Sequence, residues 1–241
     1  LWLFDCFVGL YLTFPGRRQR VHESPSWIRR WGQRFVIKTR SLFGFLFTGH
    51  RAIGLWIWAT LLVFAVSAVS LNLGDVYNPV MQAVFQPPST GYSTIDRSLG
   101  PVERPRLSWT QAHQKAQAAM QALAEEQGFQ IRAPRRLRYD RWAASFMYQV
   151  ESSLDVTPKY AGTTVWISGT DGRRLAYRLP TGVDAGSTFT TWTQQFHFAT
   201  MFGTAHQLLV ALVGLLTAGL SLSGVWIWWR KRRRLKPSPH L

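Results

Sequence analysis

The sequence predicts an α-helical polytopic membrane protein that carries one extracytoplasmic α+β domain. Three observations lead there. Two windows of 23 residues, 52–74 and 207–229, contain no charged side chain. Lys and Arg gather beside those windows. The stretch between them mixes helical and strand periodicity.

Each segment is justified in turn. Residues 1–14, LWLFDCFVGLYLTF, are apolar except for Asp5 and end at Pro15-Gly16. That is too short to cross a bilayer core of roughly 30 Å. It has neither a basic start nor a small-residue cleavage site, so it is not a signal peptide. It is expected to be the second half of a transmembrane helix, and the chain an N-terminally truncated piece of a longer one. Residues 15–49 form a basic loop; the stretch 15–51 holds nine Lys/Arg against one acid, Glu23. Residues 50–74 are expected to span. The tail, 230–241, holds six Lys/Arg and no acid. Residues 75–206 hold 13 basic and 10 acidic residues. Positive charge stays cytoplasmic during insertion. The loop and tail are therefore expected inside, residues 75–196 outside, and 197–229 form an outer-mouth segment followed by a transmembrane helix.

The net charge of +16 would suit nucleic acid, but both basic clusters abut apolar spans. They read as topology signals facing lipid headgroups, with no nucleic-acid partner. The single Cys6 excludes an internal disulfide framework and a Cys-based zinc or iron–sulfur site. No Cys-x-x-Cys-His run is present, which excludes covalent c-type haem attachment.

Within 75–196, Pro79, Pro87, Pro88, Pro101 and Pro105 predict an irregular lead-in. Ser108 with Gln111 forms a capping-box pattern, and Gly128 is a stop signal. Trp109, Ala112, Ala116, Ala119, Met120 and Leu123 share one helical face. Beyond Pro134, residues 137–150 alternate as a strand, with Phe146, Tyr148 and Val150 on one side. Residues 163–168 are a second strand; Gly169–Gly172 is a turn, and 174–179 returns as a hairpin. No Ser/His/Asp set, paired carboxylates or phosphate loop is visible there. His113 is read as a solvated residue on a polar helix face.

A helix opening on Trp, then strands and an Asp-Gly hairpin, set between membrane segments, resembles the PepSY domain. The membrane parts resemble the bacterial PepSY-associated transmembrane proteins, which include inner-membrane ferric-siderophore reductases. The residues carrying this are Leu3–Gly9 with Tyr11–Pro15, His50–Trp56, Phe196–Ala199, Phe202-Gly203 and Ser223–Lys231. The resemblance implies b-type haem held by histidine between helices, an unidentified cytoplasmic electron donor, and a ferric siderophore reduced at the periplasmic face of the inner membrane. It also implies a preceding helix with its own histidine motif, which this sequence does not contain. The alternative is a non-enzymatic PepSY membrane anchor that binds and regulates a peptide or protein partner.

Six histidines are available. His22 and His240 sit in basic segments and read as solvated. His50 lies at the inner mouth, with Gly54 one turn deeper on the same face. That pairing lets a flat macrocycle lie against the helix while the imidazole reaches its iron; an interfacial anchor is the other reading. The resemblance implies that His50 is an axial haem ligand with Gly54 beside it. His197 and His206 lie at the outer mouth. On one continuous helix, nine residues apart, they would point to opposite sides; a break at Gly203 would relax this. The family pattern favours His197 as an axial ligand of the haem iron; His206 reads as interfacial or in contact with a propionate. About 20 helical residues, roughly 30 Å, separate the mouths, so His50 cannot share an iron with either. Haem at both mouths would mean two b haems per full-length chain. Asp5 is expected to be structural. Gly214/Ala218 and Gly219/Ser223 read as helix-packing pairs, and the Trp-rich span ends as interfacial belts.

Overall fold

A computed structural model describes residues 1–16, 26–85, 91–97, 100–160 and 162–234. The readings of Arg17, Arg18, Arg20, His22, Glu23, Pro87, Pro88, Lys236 and His240 lie outside the described residues. The protein is mostly helical with a small antiparallel sheet, and it divides into two compact units.

The first unit comprises Leu1–Ala68 and the chain from Phe202 onward. It contains α1 (Trp2–Thr13), α2 (Trp27–Gly32), α3 (Leu42–Trp56), most of α4 (Trp58–Asn72) and α8 (Gly203–Arg234). α8 is the one helix among the described residues long and apolar enough by itself to cross a membrane. Only 6 % of its apolar window is buried, so it is not the core helix of a soluble domain. The helix expected over 50–74 begins instead at Leu42. Ser41 caps it, its Oγ accepting the Gly44 N–H at 3.1 Å, and 42–49 are apolar enough to extend the helix backward. It then breaks at Ile57 (φ −99°, ψ 3°), and α4 leaves at 63° to α3. Just past the break the Trp58 indole N–H donates to the Cys6 carbonyl at 2.9 Å, tying α4 to α1. Phe14, Trp27, Trp31 and Phe35 pack ring to ring in series, with centroids 5.4–5.9 Å apart: Trp27 stacks on Trp31, Phe14 meets both at a tilt, and Phe35 meets Trp31 edge-on. They pin the short amphipathic α2 to the end of α1.

The second unit, Val69–Met201, holds α5 (Gly74–Phe85), α6 (Trp109–Gln127), β1 (Ile131–Asp140), β2 (Ser145–Ser152), β3 (Thr163–Ser168), β4 (Arg174–Arg178) and α7 (Ala185–His197). The strands form an antiparallel meander in the order β1-β2-β3-β4. α6 packs Ala112, Ala116, Met120 and Leu123 onto Phe146, Tyr148, Val150, Val165 and Ile167 of the sheet, all buried. The other face buries Met147, Trp166 and Ala176 with Ile95 and Ala143. The capping box is present, with Ser108 and Gln111 bonded reciprocally, and Gly128 ends α6 at φ 71°.

Three expectations change. The strand expected over 137–150 is a hairpin of β1 and β2. Asp140 Oδ1 accepts the N–H groups of Trp142 and Ala143, and Ala144 turns the chain at φ 42°. β1 also runs through Pro134, with a register shift beside it. An edge strand tolerates this because one side of its backbone needs no partner. The irregular lead-in is helical over α5, with Pro79 inside.

Candidate functional site

His50 sits in the second half of α3, facing α8. Its Nδ1 lies 2.9 Å from Ser223 Oγ. That hydroxyl has a single proton, and it lies 2.7 Å from the Gly219 carbonyl and 3.1 Å from that of Leu220, both acceptors only. The hydroxyl therefore donates back along α8, and His50 Nδ1–H donates to Ser223. The lone pair of the imidazole is left on Nε2, a tautomer assigned from the bonding network. This is the arrangement that a metal-binding histidine needs, with one nitrogen anchored and the other open.

A cavity of about 730 Å³ opens beside this ring. Cofactor sites usually occupy roughly 300–1,000 Å³. Its walls come from α1, α3, the start of α4, and α8. Gly9 and Gly54 line it, and a Cβ at either would meet nothing within 4 Å. Gly224 lines it too; a Cβ there would stand 3.3 Å from His50 Cε1, so the missing side chain is what lets the ring lie against α8. Phe47, Leu55, Leu61 and Ile227 supply apolar surface. Arg51 and Lys231 line the cavity as well, their charged ends 5.8 and 5.1 Å from the centre of the Phe47 ring.

Among the described residues no three His, Cys, Asp or Glu side chains converge as a metal-binding group. A porphyrin needs no such group, because the macrocycle fills the equatorial positions and asks the protein for axial ligands. One anchored imidazole, a glycine-floored slot, apolar walls and two cations for carboxylate substituents fit a b-type haem.

The sequence had singled out His50 and Gly54, and both line this cavity. Asp5, expected to be structural, lines it also. Neither His197 nor His206 does. The premise that these two share one continuous helix does not hold. Ala199 (φ 53°) and Gly203 (φ 65°) separate α7, which ends at His197, from α8, which carries His206. His197 is half-buried with its ring 5.7 Å from Phe198. His206 is 3 % exposed with its ring 5.4 Å from Phe202. From His206 to Gly224 is 224 − 206 = 18 residues of α8, about 27 Å along the helix axis. His206 and His50 are thus too far apart to share an iron. His113 is exposed on α6, but not merely solvated: it meets Tyr148 edge-on at 5.6 Å.

The sequence reading missed Ser223, Gly224, Arg51 and Lys231 as site residues. Ser223 carried a signal that pointed to helix packing, and the two cations were absorbed into the topology argument. That His50 and Ser223, 173 residues apart, touch is a tertiary fact that no spacing encodes.

Fold and site together define a membrane protein in which an α+β unit is inserted between apolar helices. The family description PepSY-associated TM region matches residues 1–231, and the chain belongs to that family. A comparison with curated proteins returns no match.

Proposed function

We propose that the chain belongs to a multi-pass protein of the bacterial inner membrane that carries electrons outward through b-type haem to a ferric siderophore. The observation that supports this best is the glycine-floored cavity with His50 anchored at its edge. In this reading His50 Nε2 would hold the haem iron, Ser223 would fix the ring, and Gly224, Gly54 and Gly9 would leave room for the flat macrocycle. Arg51 and Lys231 would pair with its propionates at the cytoplasmic end. Bound haem supplies one-electron chemistry between ferric and ferrous iron. The protein excludes water with apolar walls and holds the cofactor at a depth where a cytoplasmic donor reaches one edge. Residues 75–196 lie in the periplasm, where reduction loosens the grip of a hard ferric chelator on its metal. His197 or His206 serves a second haem nearer that face.

The test is an absorption spectrum of the full-length protein, oxidised and reduced. A Soret band with sharpened reduced bands is expected, and His50→Ala should remove about one haem equivalent. Unchanged haem content in that variant would make His50 an interfacial residue. No Soret band at all would leave the PepSY anchor that binds a protein partner as the reading.

A further inference from the structure

The second unit contains a separate cleft of about 480 Å³. Its lining includes Tyr77, Asn78 and Gln82 of α5, Arg178 at the end of β4, and Thr190 and Gln194 of α7. Part of this wall is preset. Tyr77 Oη and Thr190 Oγ1 are 2.8 Å apart, and Gln194 Nε2 donates to Ser70 Oγ at 2.6 Å. Arg178 is different. It is half-buried, yet its guanidinium has no hydrogen bond or ion pair among the described residues. Its strand neighbour Arg174, by contrast, bonds Glu126 at 2.8 Å. The side-chain amides of Asn78 and Gln82 likewise have no partner there. No carboxylate lines the cleft among the described residues.

A lone surface arginine is ordinarily just solvated. Here Arg178 lines a concavity together with two amide side chains, and among the described residues no carboxylate lines it. The amino end of α7 is not the attraction. Asp184 already accepts the Ser187 N–H at 2.6 Å, so a carboxylate occupies that position. We infer that the cleft binds an oxyanion of metabolite size. Its carboxylate or phosphate sits on the Arg178 guanidinium, which suits two parallel N–H···O bonds. Asn78 and Gln82 donate to its remaining oxygens. This assignment goes beyond the haem reading and does not depend on it. The oxyanion has two possible sources, a soluble polycarboxylate or an anionic phospholipid headgroup. The second is in reach because Ser70 belongs to the last turn of the apolar α4.

The experiment is calorimetric titration of the full chain in neutral detergent. The probes are citrate, inorganic phosphate and short-chain phosphatidylglycerol, with phosphatidylcholine as control. Saturable binding of at least one anionic probe is expected. Arg178→Gln should weaken it about tenfold or more, the effect of losing a charge-assisted pair. Arg178→Lys should keep part of it. Gln82→Ala, on the exposed side of α5, should weaken it several-fold and guards against misfolding of the Arg178 variants. A preference for citrate or phosphate identifies a soluble ligand; binding of phosphatidylglycerol alone identifies a headgroup. Retention in His50→Ala separates the result from the fate of the haem reading. No saturable binding of any anionic probe, or equal binding by Arg178→Gln, overturns the inference.

Discussion

One hydroxyl holds the ring of His50. Ser223→Ala deletes the acceptor for Nδ1–H and lets the imidazole rotate away from the cavity. Loss of such a supporting contact usually costs 10–100-fold in metal affinity, so haem titration of the Ser223→Ala protein should show a drop of about that size. An unchanged affinity would remove Ser223 from the site. Gly224→Val is harsher, because its branched side chain starts 3.3 Å from His50 Cε1; it should abolish haem uptake while leaving the helical circular dichroism intact. A second single contact sits in the other unit. Burial pushes the Asp140 carboxyl up. The Tyr92 hydroxyl, donating at 2.6 Å, the N–H groups of Trp142 and Ala143, and the Arg138 charge outweigh it and hold Asp140 below the usual carboxylate range. Asp140 thus gives up its proton more readily folded than unfolded. Its stabilisation is present above the unfolded value, about pH 4, and is lost as pH falls through the folded value. Tyr92→Phe should then cost about 1 kcal/mol at pH 7, a deficit that shrinks toward pH 3. Urea unfolding read by pulse proteolysis at the two pH values checks this, and a pH-independent deficit would show that Tyr92 acts only by packing on Trp166.

At the scale of elements, local signals were legible and tertiary ones were not. α6 could be read from end to end because its cap, apolar face and terminal glycine are all within the helix. Ser108→Ala should cost about 1 kcal/mol, and Gly128→Ala about as much for the left-handed backbone it forces on an alanine, both measurable as lower urea midpoints. A midpoint unchanged by Ser108→Ala would mean that the capping box contributes nothing measurable. The β3–β4 hairpin was legible for the same reason, with Gly172 at φ 80°. The β1–β2 hairpin was not. Its turn uses an Asp140 side chain and a strained Ala144 in place of Asn-Gly, so the alternation appeared to run on through it. The break at Ile57 has no Pro or Gly at its apex, and nothing in the window 52–74 marks it. The candidate site was half legible. His50 and Gly54 are neighbours on one helix, whereas Ser223, Gly224 and Lys231 reach them only through the packing of α3 on α8.

The chain gathers its basic residues beside its apolar helices, and under the proposed multi-pass reading that sorting sets its orientation in a bilayer. α8 runs 32 residues, about 48 Å, longer than a hydrocarbon core of roughly 30 Å. Its excess is the basic end. There Arg230 stands 5.1 Å over the Trp226 ring, Arg232 5.2 Å over Trp228 and Arg233 3.6 Å over Trp229. Indole rings settle at headgroup depth, and cations stacked on them are held at the same level, beside lipid phosphates. Five consecutive basic residues, Arg230–Arg234, at a span end are the kind of cluster the insertion machinery retains inside. Arg29 and Arg30 lie on α2 and Arg34 just after it, and Phe14 and Phe35 pack on the tryptophans of α2; Lys38 and Arg40 precede α3. They fit the same surface. The unit between, with its nearly balanced charge, meets no such barrier to export. A green fluorescent protein fused after Leu241 should therefore fluoresce, and alkaline phosphatase inserted in the Thr170–Gly172 turn should be active. The swapped fusions should be silent. A phosphatase active after Leu241 would place the basic tail outside and invert the direction proposed for the electrons.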